Sequence, residues 1–297
     1  MLKRYNESFS VIIPTLNEGS LLRMTVESIL SQTEYPNYEV LVVDDGSTDG
    51  SCEPLQDRDN RVQVIRSEGV GVAQARNLGA SHARGEYLVF IDAHCRVTPN
   101  WLSGLTGTLA EPDVGIAGPC FTKLRKAVPR GCGMVWADYS LDPNWYEPLD
   151  TEESYEVPLT TGACQAFRHS TFQAMGCYEE GFTRWGFEDV EICLRAWLLG
   201  YRVMVNPKVV VAHHFRESRN YEVDDVEITY NFLRMIHLHF SPRRIRSVLR
   251  AVSANPLVPE ALDRLYSSDV FQVRAELGAA RVYDDDWFFR NINCAIR

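Results

Sequence analysis

The chain has 297 residues, 45% hydrophobic and 24% charged, which is enough for one large α/β domain with an appendage or for two domains sharing a cleft. Composition of this kind excludes intrinsic disorder and fibrous repeats. A formal net charge of -10 excludes nucleic acid as a nonspecific partner, because an acidic surface repels a phosphate backbone.

Met1 to Glu7 lead into a strand without an apolar core of signal-peptide length, and no later run approaches a transmembrane segment. The expectation is a cytoplasmic protein, or a domain trimmed of its targeting segment. Cys52, Cys95, Cys120, Cys132, Cys164, Cys177, Cys193 and Cys294 are scattered without a Cys-x-x-Cys pair, so zinc-ribbon and thioredoxin readings have no support. Most are expected as buried thiols, since a chain of this size does not need disulfides.

In chain order, Phe9 to Ile13 reads as a buried strand, broken by Pro14 to Gly19 before an amphipathic helix that carries Leu21, Leu22, Val26, Ile29 and Leu30. Glu39 to Val43 is a second strand ending in Asp44-Asp45-Gly46-Ser47. Val62 to Ile65 is a third, with a helix from Ala73 to Ala83, and Tyr87 to Ile91 is a fourth that ends at Asp92. Apolar strands alternating with helices predict a doubly wound, mainly parallel sheet, whose ligands collect beyond the carboxyl ends of the strands. The polar clusters at 14–18, 44–47 and 92–94 all fall there. Past residue 110 the pattern loosens, and Trp136, Trp145 and Tyr146 suggest a loop-rich acceptor side. Regularity returns at Trp185-Gly186-Phe187-Glu188-Asp189, followed by a helix that stops at Gly200. A short strand pair, Val203 to Val205 and Val209 to Val211, then delivers His213 and His214. The expected division is a nucleotide-binding half over 1–110, an acceptor-binding half over 111–216 and a helical C-terminal appendage over 217–297.

Asp92 and His94 stand two apart after a strand, so their side chains point to one side. With a histidine from the strand end at 213 they form one oxygen and two nitrogen ligands, a set suited to Mn²⁺ more than to Mg²⁺. Such an ion can bridge the phosphates of a leaving nucleoside diphosphate.

The stretch Ser10-Val-Ile-Ile-Pro-Thr-Leu-Asn-Glu18, with Val43-Asp-Asp-Gly-Ser-Thr-Asp49, resembles the opening of family 2 glycosyltransferases. Asp92-Ala93-His94-Cys95, the segment Trp185 to Glu191 with Arg195 and Trp197, and His213-His214-Phe215-Arg216 are similar to segments of the polypeptide N-acetylgalactosaminyltransferases. The resemblance runs over about residues 9 to 216. It implies a GT-A type fold and a UDP-sugar donor, with Asp45 reading the uracil, Pro14, Thr15 and Glu18 around the nucleoside, Arg76 near the nucleotide, and Asp92 and Ala93 beside the sugar nucleotide. By position His213 matches the family's third metal ligand better than His214 does, and the doubled histidine leaves the assignment open. Asp189 stands where the polypeptide transferases have asparagine, and their lectin domain is missing, which weakens the case for a glycopeptide acceptor.

The expected function is therefore metal-dependent transfer of a sugar from a UDP-sugar to an acceptor hydroxyl or thiol on a glycan, peptide or small molecule. Inversion is expected, with Asp189 as base, Glu188 beside it, and Trp185 and Gly186 on the acceptor side. A retaining hexosaminyltransferase is the alternative. A nucleotidyltransferase would need a basic residue in the Pro14 to Gly19 loop, which has none. A noncatalytic carbohydrate-binding protein would keep the cleft without turnover. Gly69-Val-Gly71 lacks the third glycine of a dinucleotide fingerprint and reads as a turn. Five arginines between Arg234 and Arg250 allow peripheral membrane contact. The preferred reading is a packed helix with its arginines in solvent or paired with the acidic run Glu222 to Glu227, because Pro242 interrupts the segment.

Overall fold

The computed structural model describes residues 7–56, 58–124, 126–146, 148–216 and 222–296, with the backbone alone for 126–130. The N-terminal residues 1–6 and the start of the expected appendage, 217–221, lie outside the described residues.

The first half follows the apolar periodicity. Strands β1 (Phe9–Thr15), β2 (Tyr38–Asp44), β3 (Val62–Arg66) and β4 (Tyr87–Ile91) alternate with helices α1 (Ser20–Gln32) and α2 (Val72–His82). The strands pair in parallel in the order β4-β1-β2-β3. β1, β2 and β4 are apolar on both faces because both are covered. Val11, Ile13, Val40, Val42, Val89 and Ile91 pack into one core, and Ile12, Leu41, Val43, Leu88 and Phe90 into the other.

The second half is more regular than its sequence suggests. After β5 (Cys95–Arg96) and α3 (Trp101–Thr108) come β6 (Val114–Lys123), β7 (Lys126–Gly131), β8 (Met134–Trp136), β9 (Pro143–Trp145), β10 (Tyr155–Glu156) and β11 (Cys164–Arg168). Helices α4 (His169–Ala174) and α5 (Glu188–Leu198) and strand β12 (Arg202–His213) complete it. The main sheet runs β10-β12-β6-β11-β4-β1-β2-β3, with β5 on β12 and β7 on β6. Two expectations are corrected. The loop-rich region supplies strands, because β11 fits antiparallel between β4 and β6. The strand pair at 203–211 is one strand, β12, whose register shifts between Asn206 and Val210, where Pro207 has no N–H for the ladder.

Helices α6 (Asp225–His239), α7 (Pro242–Ala251), α8 (Val258–Tyr266), α9 (Val270–Ala280) and α10 (Asp285–Asn291) form the C-terminal segment. It belongs to the core: Trp136 packs against Phe240, Phe288 and Phe289, and Asn293 bonds both ways with the Trp136 backbone. Pro242 falls at the break between α6, which ends at His239, and α7, of which it is the first residue behind the Ser241 cap. Arg234 is fully buried and pairs with Glu179 and Asp269, and Arg244 pairs with Asp285 and Asp286. Neither uses the acidic run expected for it; Arg243, Arg246 and Arg250 are exposed.

Cys120 and Cys132 form a disulfide, whereas Cys52, Cys95, Cys164 and Cys193 are buried thiols. Burial pushes the Cys95 thiol well above its usual range, which disfavours the thiolate that a nucleophile needs. No described helix is long and apolar enough to cross a membrane.

Candidate active site

The carboxyl ends of β1, β2 and β4 open on a cleft of about 510 Å³. Asp92 follows β4, and antiparallel pairing of β12 with β5 sets His213 opposite Cys95, next to His94. One ligand atom each from Asp92, His94 and His213 lie within 4.8 Å of one another, and no other such group occurs among the described residues. His94 Nε2 and His213 Nε2 stand 3.9 and 3.5 Å from Asp92 Oδ2. Both ring nitrogens of His213 are buried without a hydrogen-bond partner, a costly state unless a ligand completes it. Burial holds the His213 imidazole below its usual pKa, in the neutral form a metal requires. Burial opposes the charge on Asp92, but His213, His94 and Arg76 outweigh it and hold the carboxyl at about 2. These residues fit a divalent cation.

Glu18 lines the cleft with Pro14, Thr15 and Asp45. Its carboxylate is turned towards His94 Nδ1, at 3.3 Å, and ion-pairs with Arg216. Burial works against its charge, yet bonding with His94 and then Arg216 keeps its pKa low. A carboxylate on the far nitrogen of a metal-ligating histidine fixes ring orientation and tautomer. Thr15 remains available, with Oγ1 buried in the cleft and without a partner.

Asp45 lines the cleft but already has work there. Its Oδ1 accepts from Ser67 Oγ and Val70 N, both at 2.7 Å, and its Oδ2 from Gly71 N at 2.8 Å. Three bonds leave room for one more donor on Oδ2. Asp44 caps the turn through Ser47 N. Gly71, at φ 91°, lies so close to Arg184 that a Cβ would stand 2.8 Å from its backbone nitrogen. The Gly69 to Gly71 turn thus docks one loop on another.

Arg76 is the floor of the cleft, with a side chain 2% exposed. Its guanidinium donates to Glu188 Oε1 at 2.7 Å, to the Gly162 carbonyl at 3.0 Å and to Asp92 Oδ1 at 3.4 Å. These bonds place it between Asp92 of the candidate metal-ligand set and Glu188 of α5. Glu188 Oε2 accepts from Gly186 N, while Asp189 turns the other way, accepting from Gly162 N at 2.7 Å and Val190 N at 2.9 Å. Burial first, and then the charge of Glu188, raise the Asp189 carboxyl. Trp185, 39% exposed, and Gly186 line the opposite side of the cleft with Phe187 and Ile228. The sequence did not point to the Gly162 peptide, which serves Arg76 and Asp189 together; a glycine in Thr161-Gly162-Ala163 carries no signal of that use.

A doubly wound sheet with a cation site at the β4 end and a carboxylate pair at the start of a later helix defines a GT-A type nucleotide-sugar fold. The family model described as glycosyl transferase family 2 matches residues 10–176, and one described as the N-terminal domain of galactosyltransferase matches residues 150–218. The chain belongs to glycosyl transferase family 2. It is 30% identical over 258 residues to polypeptide N-acetylgalactosaminyltransferase 11 of Xenopus tropicalis, covering 79% of this chain and 41% of that protein. It is 34% identical over 232 residues to polypeptide N-acetylgalactosaminyltransferase 6 of Homo sapiens, covering 70% and 37%. The chain thus spans about two fifths of the length of these relatives. Among solved structures, GalNAc-T7 with UDP, GalNAc and Mn²⁺ superposes with a TM-score of 0.82 at 23% identity, over 96% of this chain and 57% of that one. S. aureus TarS 1–349 in complex with UDP-GlcNAc superposes with a TM-score of 0.60 at 19% identity, over 92% and 83%.

Proposed function

We infer that the protein is a metal-dependent glycosyltransferase that moves a sugar from a UDP-sugar to an acceptor hydroxyl or thiol with inversion, the nucleotide held by the half over 1–110 and the acceptor by the half over 111–216. The observation that carries this reading is the meeting in one cleft of Asp92, His94 and His213 with a separate, half-buried carboxylate, Asp189, whose pKa is raised. Asp92, His94 and His213 would hold Mn²⁺, in preference to Mg²⁺ because two ligands are imidazoles. When bound, the ion supplies positive charge against the diphosphate of the leaving UDP. A uridine donor follows from the sequence resemblance, and GalNAc-T7, whose structure is described with UDP and Mn²⁺, has the same fold.

The chain's own residues do the rest. Thr15 Oγ1 and the open lone pair of Asp45 are the polar groups offered to the nucleoside. Asp189 takes the acceptor proton at whichever oxygen faces the substrate, while Gly162 N and Val190 N fix the carboxylate plane. A base raised towards neutrality is better matched to a hydroxyl or thiol than an ordinary carboxylate. Asparagine in its place can position a group but cannot accept the proton.

The test is UDP release from a panel of UDP-sugars with Mn²⁺, with and without chelator, followed by NMR of the product anomer. Turnover that stops in chelator, returns with Mn²⁺ and gives an inverted product is expected. Full turnover in chelator, or a retained anomer, refutes the reading.

A further inference from the structure

The loop that carries Trp185 and Gly186 into the cleft is conformationally expensive. Arg184 has φ 43°, Gly186 φ 107° and Phe187 φ 71°, and a non-glycine residue in the left-handed region is strained and persists only where its surroundings impose it. Part of the support comes from the Gly69 to Gly71 turn: Arg184 Nη1 donates to Gly69 O at 2.9 Å, and Arg184 O accepts from Val72 N at 2.8 Å. The other part comes from α6, in the C-terminal segment that neither matched family model reaches.

Asn231, in the middle of α6, is fully buried. Its Oδ1 accepts from Thr183 N at 2.9 Å and Thr183 Oγ1 at 3.3 Å. Its Nδ2 lies 2.7, 3.2 and 3.1 Å from the carbonyls of Thr183, Trp185 and Gly186. One side chain therefore binds the loop at three of its residues. A backbone N–H at one end and carbonyls at the other admit an amide in one orientation only, which neither aspartate nor leucine of similar size can replace. On the same ridge of α6, three residues earlier, Ile228 lines the cleft beside Trp185 and Phe187. Three residues later, Arg234 grips Glu179 through two bonds of 2.7 Å, just before the loop begins.

We propose that α6 is part of the transfer site. Asn231 is a positioning residue that holds Thr183 to Gly186 in its strained conformation, and Ile228 completes an apolar wall that receives the acceptor. This rests on the glycosyltransferase reading for the word acceptor, but the latch itself does not. The wall of Ile228, Trp185 and Phe187 suits an acceptor with an apolar face beside its nucleophile, such as an aryl glycoside, over one that is polar all round.

The experiment uses the full chain and the variants Asn231→Ala, Asn231→Asp and Ile228→Ala. Hydrogen exchange is read at the amides of residues 183 to 187, UDP affinity in the presence of Mn²⁺ by calorimetry, and transfer to aryl and methyl glycosides of one sugar. In Asn231→Ala the loop amides should exchange at least about tenfold faster, and in Asn231→Asp at least as fast, because a carboxylate faces three carbonyls. UDP affinity should stay within about twofold while transfer falls by about tenfold or more, the pattern of a lost transition-state contact. If the Asn231 variants do not fold, Ile228→Ala decides: half-buried, it should erase the preference for aryl over methyl glycosides at unchanged UDP affinity. Unchanged exchange in a folded Asn231→Ala, UDP affinity falling in step with transfer, or an aryl preference intact in Ile228→Ala overturns the proposal. A parent that releases UDP from no UDP-sugar defeats the functional reading, and the exchange result then still decides the latch.

Discussion

Replacing Arg76 by methionine removes a buried cation and leaves its partners in place. Glu188, with a side chain only 5% exposed, would lose its 2.7 Å partner and keep one backbone N–H. The Gly162 carbonyl would lose its guanidinium donor, and Asp92, 25% exposed and 3.4 Å away, would lose a weaker contact that water can partly replace. Breaking one side of a buried pair costs about 3–5 kcal/mol because the other charge stays buried, and Glu188 accounts for most of it here. Against a total stability of about 5–15 kcal/mol, the variant should fold with a clearly lower urea midpoint and an unchanged slope. Adding Glu188→Gln should return part of the loss, giving a coupling within about 0.5–3 kcal/mol in a double-mutant cycle. If Arg76→Met costs under about 1 kcal/mol while UDP affinity collapses, Arg76 is a nucleotide contact and the relay to Glu188 is wrong. Strict additivity in the cycle refutes it as well.

Calorimetry should find Mn²⁺ affinity lost in His213→Ala and kept in His214→Ala, since only His213 joins the group with Asp92 and His94. UDP should bind more tightly than GDP, and Asp45→Asn should weaken UDP binding and loosen the Gly69 to Gly71 turn together, because one carboxylate holds the turn; equal affinity for UDP and GDP would count against it. The Asp189 carboxyl is raised by burial and by Glu188, so the folded chain keeps this proton to higher pH than the unfolded chain, and stability falls as pH rises from the ordinary carboxylate range through the raised value. Asp189→Asn should remove that fall, giving a midpoint advantage that grows between about pH 4 and pH 7, while turnover drops about 10²- to 10⁴-fold. Flotation with anionic liposomes should leave the protein unbound, as Arg234 and Arg244 are engaged inside the fold; binding that vanishes when Arg243, Arg246 and Arg250 are made Gln would reverse this.

The strands of the first half were legible because each is a short apolar run bounded by polar breakers, and the hydrophobic signal alone places their ends at a cleft. Asp92, His94 and His213 were legible through spacing and resemblance. The second half was not, because β6, though ten residues long, is broken in sequence by Gly115, Gly118 and Pro119, β7 to β10 are short, and β11 is set by its neighbours β4 and β6 and not by its own five residues. Partnerships across the chain were hidden for the same reason. Glu18 meets His94, Gly162 meets Asp189 and Asn231 meets Trp185 only after folding, and no local pattern marks a buried amide in the middle of a helix as a loop clamp. Arg234 read as a surface arginine because charge is usually solvated, and only Glu179 and Asp269 explain its burial.

Six carboxylates line the cleft; Glu222 is exposed, and the way each of the other five is satisfied separates their tasks. Glu18 has His94 and Arg216, Asp45 has two backbone N–H groups and a hydroxyl, and Glu188 has Arg76 and a backbone N–H. Glu18 and Glu188 are committed to structure or orientation, so replacing either should disturb geometry before chemistry, whereas Asp45 holds its turn and keeps one open lone pair, so replacing it should disturb both. Asp92 is different: its neighbours stand at 3.4 to 3.9 Å, too far for strong bonds, and its pKa is held at about 2. An ionised carboxylate with no close bonds of its own suits the metal-ligand role proposed for it. Asp189 is the remaining case, with two backbone N–H groups and no cation within ion-pair distance among the described residues. Glu188 takes Arg76, and its proximity adds to burial in pushing its neighbour's pKa up. Adjacent residues at the start of α5 thus receive different surroundings from one arginine, the first ion-paired with it and the second held by backbone N–H groups, the state suited to the base proposed here.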